Sequence, residues 1–364
     1  MARLLIDRRD FMRGAGAAFM TTLAPRALNA AASADAVYAT AFQLHSGEYG
    51  VAILSERGEI VHRSALPDRG HDVCFDPVSR RYVVFARQPG TFAAVIDIDD
   101  RRPPVTIASV AGRHFYGHGA FSPDGALLYA TENDFDNAAG MIGVYDARDG
   151  FSRIGEFATH GVGPHEMLLL DDGLTLAVAN GGIETHPDFG RAKLNIATMK
   201  PSLVLLDRRD GRLLSKHELP QELHQLSIRH MDVASDGALW FGCQFEGGAT
   251  ERPPLIGKAR PGEAMSLVEL PGEVLAGMRN YVGSVAANRS AGTVAFTSPQ
   301  GNRVAILDDR SANVVASRDL TEVCGAAPDA GGYLLTTGAG TIDMPDGASR
   351  AEKEVVFDNH VLRI

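Results

Sequence analysis

Lysine is scarce in this 364-residue chain, with five residues against thirty arginines. There is no Lys/Arg run, and the formal net charge is −10. A diffuse basic surface is therefore excluded, and with it nucleic acid or anionic lipid as an expected partner. The arginines are better suited to fixed, hydrogen-bonded positions. Cysteine is almost absent. Cys74, Cys243 and Cys324 are an odd number with no CxxC spacing, so neither a disulfide framework nor a thiolate metal site is implied, and buried thiols are expected. No apolar run reaches transmembrane length, which excludes stable membrane insertion of the mature chain. Sustained helical periodicity is also missing, which argues against alternating α/β folds. No G-x-S-x-G, H-E-x-x-H, phosphate loop or C-x-x-C-H string occurs. Yet 45% of the residues are hydrophobic, enough for a large core.

The first thirty-four residues read as an address. Arg8-Arg9-Asp10-Phe11-Met12-Arg13 has the pattern of a twin-arginine export motif. A weakly apolar stretch follows from Gly14 to Ala24, and small residues cluster at Ala30–Ala34 as a cleavage site. The expectation is a signal peptide over residues 1–34, a single domain over 35–364, and a periplasmic location.

The rest of the chain repeats. Gly70-His71-Asp72-Val73, Gly117-His118-Gly119-Ala120 and Pro164-His165-Glu166-Met167 place histidines 47 residues apart. A fourth copy, Arg229-His230-Met231-Asp232, comes 65 residues later. Degenerate copies follow at Tyr281–Val285 and Glu322–Ala326. Most copies lead into a turn, such as Ser122-Pro123-Asp124-Gly125 or Ser235-Asp236-Gly237, then a β-rich run. Pro-Asp-Gly and Asp-Gly between such runs are hairpin signals, because glycine accepts a positive φ. Four short strands per 47 residues define a propeller blade, and residues 36–364 hold seven such lengths. The fold class is all-β: a seven-bladed β-propeller of WD40 or YVTN-like type, entered at Val37–Phe42 and left at His360–Ile364. Aspartates closing the third run of several repeats, Asp146, Asp207 and Asp308, read as turn caps.

If the innermost strand of each blade starts at its histidine, then His71, His118, His165 and His230 rim one mouth of the central channel. With Glu166 they are candidate ligands for a transition metal such as Fe, Cu or Zn. A histidine at a repeat-equivalent position can instead serve blade packing. The ends of the second strands fall at the same mouth and nominate Arg87, Glu132, Asn133, Asn180 and Gln244 as ligand contacts. Three connections there read as long: Asn133–Gly140, Asn180–Pro201 and Gln244–Pro254. The second holds the extra eighteen residues of its repeat and adds Glu184, His186 and Arg191. Arg229, Arg279 and the loop residue His224 complete the set. Arg191, Arg229 and Arg279 suit an anion clamp.

Several strings carry a family resemblance: Phe121-Ser122-Pro123-Asp124-Gly125, Thr131-Glu132-Asn133-Asp134, Gly161–Glu166, Ala179–Pro187, Gly190–Pro201 and Arg229-His230-Met231. The chain resembles the fifteen-thirteen domain-of-unknown-function family of exported, propeller-like bacterial proteins, over nearly its whole mature length. That family is often encoded beside imelysin-type iron-regulated proteins, so the resemblance implies iron or metal acquisition and periplasmic iron-uptake partners. It supplies no catalytic residues. Two alternatives to a metal-binding protein stay open: a lactonase-like hydrolase using a His/Glu pair, or a scaffold presenting the long-loop face to other proteins.

Overall fold

The computed structural model describes residues 37–99 and 101–364. The signal-peptide expectation lies outside them. Seven antiparallel sheets are arranged around one axis, six of them built from four consecutive strands. The seventh joins the two ends of the chain. Val37–Leu44, Tyr49–Ser55 and Ile60–Leu66 form its outer part, and Val355–Phe357 and Leu362–Arg363 pair with Val37–Leu44 as its inner edge. This sheet is blade 1, and the others are numbered along the chain. The inner strands of blades 2–7 are Gly70–Asp76, Arg113–Phe121, Pro164–Leu169, Leu226–Val233, Ser284–Asn288 and Val323–Asp329. Seven blades were expected, and seven are present.

The middle strands explain why the sequence showed apolar runs rather than clean alternation. A strand between two packed sheets is buried on both faces. In blade 2, Tyr82 and Val84 face blade 1 beside Ala39, Val51 and Ile53, whereas Val83 and Phe85 face blade 3 beside Phe115 and Leu128. The hydrophobic core is thus a circle of clusters in the gaps between blades. Only outer strands such as Ser152–Ala158 alternate with solvent.

Turn chemistry matches its signals. Gly125 sits at φ +64° after Ser122-Pro123-Asp124, and the Ser122 hydroxyl accepts the Leu127 N–H at 2.9 Å. Asp146, Asp207 and Asp308 accept backbone N–H groups two or three residues on, as turn caps do. The three cysteines are free and buried, and burial pushes the Cys324 thiol up to about 12. One loop expectation is corrected. Asn133–Gly140 is a tight hairpin in which Ala139 pairs with Asp134, because both strands run further than their apolar cores suggested.

Ring closure depends on a short ladder, Phe42 opposite Phe357 and Ala39 opposite Leu362. Phe357 is almost fully buried in the cluster joining blades 7 and 1. Phe357→Ala should therefore cost about 3–5 kcal/mol, read as a shift of the urea midpoint. An unchanged midpoint would show that the ladder is not what closes the ring.

Candidate functional site

The inner strands of blades 2–5 and 7 share an irregularity near one position, whereas that of blade 6 pairs without a break. Pairing with the second strand slips between Gly70 and Val73, Phe115 and Gly119, Pro164 and Glu166, Ile228 and His230, and Val323 and Ala326. A bulge re-aims a side chain that would otherwise follow the pleat. In blades 2–5 the slip falls at or beside the repeat histidine, and these imidazoles meet in the channel. Blade 1 interrupts its inner edge for four residues between Phe357 and Leu362, and this segment brings His360 to the same place. Ring centroids are 4.7 Å apart for His71 and His360, 4.9 Å for His71 and His118, and 4.8 Å for His165 and His230. His360 also lies 4.8 Å from both His118 and His230.

Gly117 makes one contact of this cluster possible. Its φ is +108°, and a Cβ there would lie 2.6 Å from His71 Cδ2. The His71 ring rests directly on the backbone of blade 3, where only glycine leaves room.

Behind the rings, the Nδ1 atoms are held one by one. His71 Nδ1 donates to Asp358 Oδ1 at 2.7 Å, and His118 Nδ1 to Asp72 Oδ2 at 3.0 Å. His230 Nδ1 bonds Glu166 Oε2 at 2.9 Å, and Glu166 also accepts the Met231 N–H. His165 differs, because Arg229 Nη1 donates to its Nδ1 at 3.1 Å. That bond leaves the proton of neutral His165 on Nε2. Asp358 collects His71, Arg87 and Arg69. Burial alone would raise its pKa, but Arg87, His71 and Arg69 bring it well below the usual carboxylate range. Glu166 goes the other way, pushed well up by burial and then by Asp72.

Burial also holds four of the imidazoles neutral, moving His71 down to about 4 and His165, His230 and His360 well below the ordinary value. The Nε2 atoms of His118, His165, His230 and His360 have no hydrogen-bond partner among the described residues and are shut from solvent. Two triads bring one nitrogen from each ring within 4.8 Å of one another: His71, His118 and His165; and His118, His230 and His360. A zinc-like ion bound at about 2.0–2.1 Å would need each ring tip to move by less than about 1 Å.

On the mouth side, a cavity of about 250 Å³ stands over the rings, with Arg87, Arg191, Lys193, Arg229, Tyr116 and Tyr281 in its wall. The extra loop of blade 4 supplies Arg191 and Lys193. It is fastened across blades by Asn133 Nδ2 to the Thr185 carbonyl and by Gln88 Nε2 to the Thr185 hydroxyl. Opposite, a second opening is lined in part by Asp72, Glu166 and Asp232.

Of the residues nominated from sequence, His71, His165, His230, Arg87, Arg191, Arg229 and Gln244 line the 250 Å³ cavity, and His118 lies buried among the rings. Glu166 stands behind the rings, bonded to an Nδ1 rather than aimed at the cavity. Other nominations are corrected. Glu132 points into blade 3, bonding the Tyr145 hydroxyl at 2.5 Å and Arg153 at 2.8 Å. Asn133 and Asn180 tie loops, Asn133 to His114 and Thr185 and Asn180 to Thr159 and Ser202. Glu184 is held by its backbone N–H on Asn195, and His186 caps the turn Pro187–Phe189. His224 is half-buried and bonds Gln221, and Arg279 borders a neighbouring cavity. Sequence reasoning missed His360, Asp358 and Asp72. Asp72 was adjacent to a nominated histidine, and Asp358-Asn359-His360 lay where the closing strand had to be.

Fold and site together define a seven-bladed propeller with an imidazole-lined axial channel. The chain belongs to the family described as "Protein of unknown function (DUF1513)", whose model matches residues 64–364. No curated protein matches it. Among solved structures it is similar to Kuenenia stuttgartiensis hydrazine synthase, with 16% identity, a TM-score of 0.59, and coverage of 86% of this chain and 89% of that one. It is similar also to the Myceliophteria thermophila Cps50 (Swd1) β-propeller domain, at 11% identity, TM-score 0.57, and 89% and 96% coverage. A third is BamB from Moraxella catarrhalis, at 12% identity, TM-score 0.51, and 89% and 86% coverage. At these identities the likeness concerns the fold alone.

Gly117→Ala should destabilise the protein by about 1–3 kcal/mol through overpacking against His71, measured by urea denaturation. A neutral result would mean that the His71 ring is free to move away.

Proposed function

We propose that this propeller is a metal-binding protein that holds one transition-metal ion, of the Fe, Cu or Zn kind, on the axial imidazoles. The observation that carries the reading is the set of four buried, unpartnered Nε2 atoms. An unsatisfied buried polar group costs roughly 1–3 kcal/mol, so four of them rival the ~5–15 kcal/mol net stability of a whole domain. Packing alone gives no return for that cost; a bound cation would satisfy the Nε2 atoms of His118, His230 and His360, and a group carried by that cation the Nε2–H of His165. His118, His230 and His360 are the leading ligands, with His71 beside them. Asp72 and Asp358 act on His118 and His71 as metal-bound histidines require, accepting the Nδ1 proton and leaving the Nε2 lone pair inward. Arg229 gives His165 the opposite polarity, so His165 is a hydrogen-bond donor to whatever else the metal carries.

Residues 8–13 support export by the twin-arginine route and hence a periplasmic site of action. The family resemblance supports a place in iron or metal acquisition, with imelysin-like iron-uptake proteins as candidate partners. The lactonase-like alternative has less to rest on, since Glu166 faces His230 and a backbone N–H rather than the cavity.

Elemental analysis of protein purified without chelator or immobilised nickel tests the proposal. About one equivalent of metal is expected, and His118→Ala/His230→Ala should lose it while keeping its β-sheet circular dichroism. Protein that carries none and takes up no added Fe, Cu or Zn would overturn the reading. Asp72→Asn should weaken metal affinity by about 10- to 100-fold, measured by competition with a chelator. Unchanged affinity would remove Asp72 from any role in orienting His118.

A further inference from the structure

The cavity over the imidazoles has a chemistry of its own. Its wall carries Arg87 from blade 2, Arg229 from blade 5, and Arg191 and Lys193 from the inserted loop of blade 4, in a chain whose net charge is −10. No carboxylate lies in that wall. Two stand behind it: Asp358 pairs with Arg87, and Glu246 with Lys193 and Arg229. These leave the group with an excess of positive charge. Arg191 is the uncompensated member. It is exposed at the rim with no ion pair among the described residues, and partial burial, then Arg87 and Arg69, lower its pKa. The Arg87 side chain is 16% exposed, and its Nε is buried without a hydrogen-bond partner. Like charges gathered in a concave, partly desolvated space repel unless an anion joins them. At about 250 Å³ the space lies below the ~300–1,000 Å³ typical of drug-sized ligands, so the occupant is small.

We infer that this vestibule binds a small polycarboxylate anion directly above the imidazole cluster. The four cations come from three blades, which suits a ligand with several spaced acidic groups better than a single compact one. Three of them are guanidiniums, whose planar forks match carboxylates in a bidentate manner. Tyr116 and Tyr281 add neutral donors for a hydroxyl or carbonyl. The inference deepens the metal reading, because such an anion could reach the metal as a co-ligand, but the cationic wall stands without the metal.

Citrate is the probe, titrated calorimetrically into metal-free protein at low ionic strength, with inorganic phosphate as competitor. Wild-type protein should bind citrate, Arg191→Glu should lose at least tenfold in affinity at unchanged thermal stability, and Arg191→Lys should recover part of it. Equal concentrations of phosphate should not displace citrate. Absence of citrate binding, unchanged affinity in Arg191→Glu, or phosphate binding as tightly as citrate would each overturn the assignment. Metal uptake is measured separately, by dialysis without citrate. Citrate binding without uptake of Zn, Fe or Cu leaves the anion site standing and removes the metal reading; metal uptake without citrate binding does the reverse.

Discussion

Everything at the axis depends on one piece of strand pairing, the return of the last ten residues to the first strand. Phe357 and Leu362 lock onto Phe42 and Ala39, and the four residues between them loop inward. The Asp358 N–H donates to the Ala41 carbonyl at 2.9 Å, and the Thr40 hydroxyl to the His360 carbonyl at 2.7 Å, so the inward loop is fixed at both ends. This segment closes the circle of blades. It also delivers His360 to the cluster, and Asp358 to His71, Arg69 and Arg87 together. Closure and site assembly are the same event, which makes the chain ends part of the chemistry rather than trim.

The repeat made the architecture legible. A 47-residue period, Asp-Gly turns and apolar runs long enough for strands buried on both faces left little but a propeller, and the period gave the blade number. The four repeat histidines were legible for the same reason. What sequence reasoning got wrong follows from the pleat. The end of each second strand does lie at the mouth, but successive residues there point to opposite faces, so Glu132 turns into blade 3 while its neighbour Asn133 ties the inserted loop. His360 was hidden because it stands outside the 47-residue spacing of the other copies and in a connection rather than within a strand. Its strand is broken in two by the segment that carries it. The inward aim of the histidines depended on bulges, and a bulge adds a residue to one strand without any fixed sequence mark.

The channel is electrically lopsided. Arginines and a lysine surround one mouth, three carboxyl groups and Arg363 line the other, and the imidazole cluster lies between. The scarcity of lysine fits this arrangement. A guanidinium can hold a geometry against a carboxylate or an imidazole nitrogen while partly buried, as Arg87 and Arg229 do, whereas an ammonium is more strongly hydrated. A net negative protein with a positive vestibule attracts cations generally and anions at one place, an unusual combination that suits a metal and its accompanying anion.

The central claim is that the unpartnered Nε2 atoms of His118, His230 and His360 share a metal ion. The most direct measurement is anomalous diffraction at the metal's absorption edge, on crystals of the protein purified from its own compartment without chelator. The account predicts one peak on the propeller axis, within bonding distance of the Nε2 atoms of His118, His230 and His360. An ordered water in that position with no anomalous signal, or a peak elsewhere on the molecule, would contradict it.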